Sequence, residues 1–196
     1  MAQPLRLIAG LGNPGAGYKA TRHNVGFWFV DALAESAGVS WKAEKRFQGE
    51  SARLPISGGE LLLLKPMTYM NHSGQSLRAV TDFFKIPAAE TLVAHDDLDL
   101  PAGTVRLKRG GGHGGHNGLR DIHRHFGTPD YMRLRIGIGH PGQAREVIDY
   151  VLARPTREEG DAIGDALVRA AEALDLLLRE GWDRACTRLH TDPARI

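Results

Sequence analysis

LRLIAGLGNPG, residues 5–15, is followed after five residues by TRHNVGFWFVDALAESAG, residues 21–38. Leu5 to Leu11 is a short apolar run closed by glycine and Asn-Pro, which predicts a buried strand. From Val25 to Ala37 the period changes. Phe27, Val30, Ala34 and Ala37 mark one stripe of a helix, and Gly38 stands where a C′ glycine ends one. A buried strand that feeds a turn and then a helix is the opening unit of an α/β domain.

The remaining chain extends that pattern. Phe47 to Arg53 and Glu60 to Lys65 read as paired strands around Ser-Gly-Gly. Leu77, Val80 and Phe84 recur at helical spacing after Ser73, an N-cap residue type, and Pro87 stops the helix. Thr91 to His95 is another short buried strand, and Thr104 to Lys108 and Met132 to Ile138 alternate as strands. Between these two, Leu119, Ile122 and Phe126 predict a short helix capped by Asn117. Thr156 and Glu159 form a capping box for a long helix, striped by Ile163, Leu167, Ala170 and Leu174 and ended by Gly181. The expectation is an α/β domain spanning residues 1–196, with one twisted, mostly parallel mixed sheet and helices on both faces.

The 196 residues suit one domain at about 100–200 residues per domain. The single cysteine, Cys186, excludes an internal disulfide. The longest aliphatic run, Leu61 to Leu64, is far short of the roughly 20 residues that span a bilayer, and MAQPLRLIAG has no signal-peptide architecture. The net charge is only +2, but it is unevenly spread. Gly103 to Arg145 holds eight basic residues against two acidic ones, whereas Ala153 to Asp183 holds four against eight. A basic stretch suits a polyanion, and equally suits solvated strand edges.

Three readings compete for the chemistry. Gly10, Gly12 and Gly15 match the dinucleotide fingerprint G-x-G-x-x-G of an oxidoreductase. Against it, Pro14 lies inside the turn, the helix starts well after Gly15, and the acidic residue about 20 positions on, Glu35, falls within a helix. The histidines His113, His116, His123 and His125 lack the spacing of a metal site, and the aspartates after His95 suit a turn as well as a magnesium ion. A non-catalytic RNA-binding module on the basic stretch is the second alternative. The third reading gathers Asn13, Tyr18, His23, Asn71, Asp96, His116 and Asn117 at the ends of strands, where α/β sheets collect ligands. One histidine, one aspartate and several carboxamides suffice for hydrolysis without a protein nucleophile. The histidine takes a proton from water, the aspartate orients it, and the carboxamides position the substrate.

Five segments in order carry a resemblance: GLGNPG with Tyr18 and TRHNVG (10–26), KPMTYMNHSG (65–74), AHDDLDLPAG (94–103), GGGHGGHNGLRDI (110–122) and RLRIGIGHPG (133–142). In these the chain resembles the bacterial peptidyl-tRNA hydrolases. The resemblance implies an esterase that frees peptide from the terminal ribose of tRNA, recycling peptidyl-tRNA lost from ribosomes. It implies no metal and no nucleotide cofactor, and a cytoplasmic monomer whose partner is tRNA. His23 would be the general base and Asp96 its partner. Asn13 would help distinguish blocked from unblocked aminoacyl ends. Tyr18, Tyr69, Asn71 and Asn117 would line the substrate site, with Met70 and His116 beside it. Arg106, Lys108 and Arg135 are the expected phosphate contacts, and Arg109, Arg120 and Arg133 are further candidates.

Overall fold

Leu7, Ile8 and Ala9 are fully buried because β1 (Leu7–Gly10) lies mid-sheet and is covered on both faces. The computed structural model describes residues 4–191. The other strands are β2 (Lys42–Glu44), β3 (Gly49–Ile56), β4 (Gly59–Pro66), β5 (Thr91–Asp97), β6 (Val105–Arg109) and β7 (Met132–Gly137). Their order is β2-β3-β4-β1-β5-β7-β6. The four central strands, β4, β1, β5 and β7, run parallel, and the edges pair antiparallel. The α/β fold class and mixed sheet follow the sequence reading.

Alternation within the strands divides the core in two. Ile8, Leu92 and Ala94 face α1 (Val25–Ser36), α5 (Arg157–Glu180) and α6 (Trp182–His190). Leu7, Ala9 and Val93 face α2 (Ser73–Phe84) and α3 (Asn117–Phe126). The capping box of Thr156 and Glu159 opens α5 as expected.

Two caps differ from the sequence reading. Ser73 is the first residue of α2, and its hydroxyl donates to the Met70 carbonyl at 2.8 Å. Asn117 is the first residue of α3, and the N-cap is His116. Three elements went unanticipated in the sequence. The three residues of β2 are largely exposed, α4 (Val147–Val151) is one turn long, and α6 is strongly polar. The last of these covers an edge, for the backbone N–H of Leu107 on β6 donates to His190 Nε2 at 3.0 Å.

Candidate active site

The parallel strands β4, β1 and β5 end on one rim of the sheet, and the polar residues singled out in the sequence gather there by topology. Beyond β1 the chain turns back and enters α1 through a 3₁₀ turn, Arg22–Asn24. That return is unusually close. A Cβ on Gly10 would lie 2.2 Å from the Gly26 carbonyl oxygen, and one on Gly26 would lie 2.5 Å from the Leu11 nitrogen. The Leu11 N–H donates to Ala94 on β5 and the Leu11 carbonyl accepts from Phe27 on α1. Two glycines therefore let the start of α1 ride directly on the β1–β5 pair, which carries His23 over the end of β5.

There His23 Nδ1 lies 2.8 Å from Asp96 Oδ2, and His116 Nε2 lies 2.8 Å from Asp96 Oδ1. Asp96 is 3% exposed and occupies the penultimate position of β5, which runs two residues beyond the predicted strand. Burial alone would raise its pKa, but the two imidazoles hold the carboxyl well below the usual carboxylate range. For His23 burial works the other way, towards a lower pKa. The Asp96 charge and hydrogen bond outweigh it, and the pKa is raised above the ordinary 6.5. His23 Nε2 has no hydrogen-bond partner among the described residues and is not a buried orphan, so it opens to solvent.

Asn13 is buried and fixed on three sides. Its N–H donates to Asn24 Oδ1 at 2.9 Å, its carbonyl accepts from Asn24 Nδ2 at 3.0 Å, and its Oδ1 accepts the Met70 N–H at 2.7 Å. Only the Asn13 NH₂ is left to meet a ligand. Tyr18 and Tyr69 meet edge to face with centroids 6.4 Å apart, and Tyr69 is exposed. Asn71 and Asn117 are exposed, and Asn117 Oδ1 accepts from Arg120. Met70 lies beside Asn13, as expected of a neighbour of the site. Its side chain is buried in the core and it contributes a backbone N–H to Asn13.

His23, Asp96 and His116 bring three candidate metal-ligand atoms within 4.8 Å of one another. Sequence spacing missed this group because His23 and Asp96 are 73 positions apart. The donor set does not suit a cation. His116 Nδ1 already accepts the N–H groups of Gly118 and Leu119, so Nε2 keeps its proton and donates it to Asp96.

A sequence profile of the peptidyl-tRNA hydrolases matches residues 7–195. The chain belongs to the peptidyl-tRNA hydrolase family. It is 56% identical over 185 residues to a peptidyl-tRNA hydrolase of Halorhodospira halophila, covering 94% of this chain and 95% of the relative. It is 52% identical over 187 residues to one of Edwardsiella ictaluri, covering 95% of each. The crystal structure of peptidyl-tRNA hydrolase from Acinetobacter baumannii superposes with a TM-score of 0.93 at 45% identity, covering 97% of both chains.

Membership of the peptidyl-tRNA hydrolase family removes the oxidoreductase alternative, and the packing gives the reason. Gly10 is closed over by Gly26, and a Cβ on Gly12 would meet the Phe27 ring at 2.7 Å. These glycines serve close packing of strand on helix and leave no open backbone for a pyrophosphate. Glu35 is an exposed residue within α1.

The basic candidates separate once they are placed. Lys108 is exposed on β6. Arg135 is bound to Asp97, Nε to Oδ2 at 2.7 Å, and Arg106 Nη1 donates to its own strand at Val105. Arg109 lies over the Trp182 ring on the α5 side of the sheet. Arg133 is buried and is no surface contact. It donates to the carbonyls of Gly111 and Gly112 and so anchors the glycine-rich loop. Asn24, Arg133 and His95 went unnoticed as site-building residues, because each acts through backbone atoms that sequence patterns do not display.

Proposed function

We propose that this chain hydrolyses the ester of peptidyl-tRNA, with His23 as general base. The carrying observation is the state of one ring. Asp96 holds His23 Nδ1–H, which leaves Nε2 as a free acceptor on the open side. Nε2 takes a proton from water as the oxygen attacks the ester carbonyl. The negative charge passes to the carbonyl oxygen, where carboxamide N–H groups of the site stabilise it. The tetrahedral species then expels the ribose oxygen, which receives the proton from the imidazolium. Asp96 stabilises that cation throughout.

The peptide end is read by donors. Asn13 offers only its NH₂, which suits the carbonyl oxygen of a blocked amino group. A free α-ammonium has only donors to offer and meets no acceptor there. Asn71, Asn117, Tyr18 and Tyr69 line the same opening, and His116 stands behind it. Lys108 supplies phosphate affinity independent of sequence, with Arg106 and Arg135 as weaker contributors because their own partners already hold them. No helix of the described residues is long and apolar enough to cross a membrane. The same reading makes the protein a cytoplasmic monomer, and one copy carries every residue of the proposed site.

The test is discrimination. N-acetyl-aminoacyl-tRNA should be cleaved and the same aminoacyl-tRNA with a free amine should persist. Equal cleavage of both, or of neither, would remove the proposal.

A further inference from the structure

His116 stands where a serine, threonine, aspartate or asparagine ordinarily caps a helix. Its Nδ1 accepts from Gly118 N–H at 3.1 Å and Leu119 N–H at 3.3 Å, the N2 and N3 positions of α3. Gly114 and Gly115, with φ of 57° and 81°, turn the loop left-handed just before it and set the ring down on the helix. An imidazole nitrogen that accepts two N–H groups carries no proton. The single ring proton is therefore on Nε2, which points at Asp96 Oδ1.

We propose that His116 is a positioning residue: a neutral imidazole, locked in its Nε2–H form by the α3 backbone, that holds the second oxygen of Asp96 and thereby tempers the pull of that carboxylate on His23. This rests on the reading of His23 as base. It refines the sequence expectation of His116 as a neighbour of the substrate site. With both nitrogens engaged, it has no lone pair to offer water.

The surroundings agree with a fixed neutral ring. The titratable groups facing it are His23 from the turn before α1, 5.1 Å away between ring centroids, and His95 and Asp96 from β5. His95 donates Nδ1–H to the Asp96 carbonyl at 2.8 Å, and burial pushes its pKa down to about 4. Asp97 is turned to Arg135, and His113, from the same loop as His116, accepts Gly115 N–H on its own Nδ1. Asp96 thus sits among three imidazoles, of which only His23 has a nitrogen free for solvent chemistry. Asp96 with one donor instead of two would hold the His23 proton more tightly.

The experiment has two arms. Long-range ¹H–¹⁵N correlation on the free, full-length protein at pH 6 and 8 reads the tautomers without substrate. The expected result is His116 with its proton on Nε2 and Nδ1 bare at both pH values, and neutral His23 protonated on Nδ1. A His116 signal with Nδ1 protonated at pH 6 would overturn the proposal. The second arm is His116→Asn, which keeps a capping oxygen for α3 but gives up the geometry of the Asp96 bond. It should fold, retain tRNA affinity, lose roughly tenfold in kcat, and move the acidic limb of its pH–rate profile upward. An unmoved limb with wild-type kcat would likewise overturn it. Absence of ester cleavage by the wild-type protein would instead strike the proposed function and leave the tautomer result standing.

Discussion

His23 and Asp96 are 73 positions apart in the chain, yet Nδ1 of one and Oδ2 of the other are 2.8 Å apart. What joins them is backbone contact. Gly10 and Gly26 bring the start of α1 against the end of β1, and Leu11 bonds to β5 on one side and α1 on the other. The chemistry of the site is thus built on close packing of strand against helix.

That packing makes Gly26 costly to change. Gly26→Ala places a methyl group within 2.6 Å of three backbone atoms, which cannot yield as a side chain does. The expected loss is on the order of 3 kcal/mol in urea denaturation, with turnover falling in the surviving folded fraction. A variant of wild-type stability would show that α1 can lift without consequence.

Asp96→Asn keeps the shape and removes the charge. Two opposed effects set the His23 pKa: burial lowers it, and Asp96 raises it. With Asp96 neutralised, burial remains and the pKa falls below the ordinary 6.5. His23 acts as a base only when neutral, so the acidic limb of the pH–rate profile should move to lower pH. The new amide also favours the wrong tautomer, and turnover should fall steeply, though less than on loss of His23 itself. Asp97→Asn and Asp99→Asn should do much less. An Asp96→Asn enzyme with unchanged rate and limb would mean that Asp96 only shapes its turn.

The sheet and its long helices were legible because they rest on periodicity. The Val25–Ala37 stripe, the Thr156–Glu159 capping box and the alternation of Met132 to Ile138 each report burial directly. What was not legible depends on long-range backbone contact. Nothing local to His116 distinguishes a capping imidazole from a ligand, and a basic count does not reveal that Arg133 spends its guanidinium on the carbonyls of Gly111 and Gly112. Pairing of Arg135 with Asp97 was equally invisible, since the two meet only across β5 and β7.

The basic face can be resolved residue by residue. Lys108→Ala should weaken tRNA binding and flatten its salt dependence by about one unit of slope, as a lost phosphate contact does. Arg135→Ala should flatten it by less, because Asp97 already neutralises that cation. Binding titrations from low to moderate salt separate the two. Equal slopes for wild type and Lys108→Ala would make Lys108 merely a solvated side chain.

Asn13→Asp exchanges the free NH₂ for an oxygen while the other oxygen keeps the Met70 N–H. The N–H donor offered to the blocked end disappears, so kcat/KM for N-acetyl-aminoacyl-tRNA should fall by about 100-fold, and the buried carboxylate should lower stability as well. Retained activity on the blocked substrate would show that Asn13 serves the loop alone.

The central claim is that His23 is the base. The most direct measurement compares wild type and His23→Ala for single-turnover cleavage of N-acetyl-aminoacyl-tRNA and for binding of the same tRNA. The rate should fall by about 10²–10⁴-fold, the usual worth of a general base, while tRNA affinity stays the same. Near-wild-type turnover in His23→Ala would contradict the account.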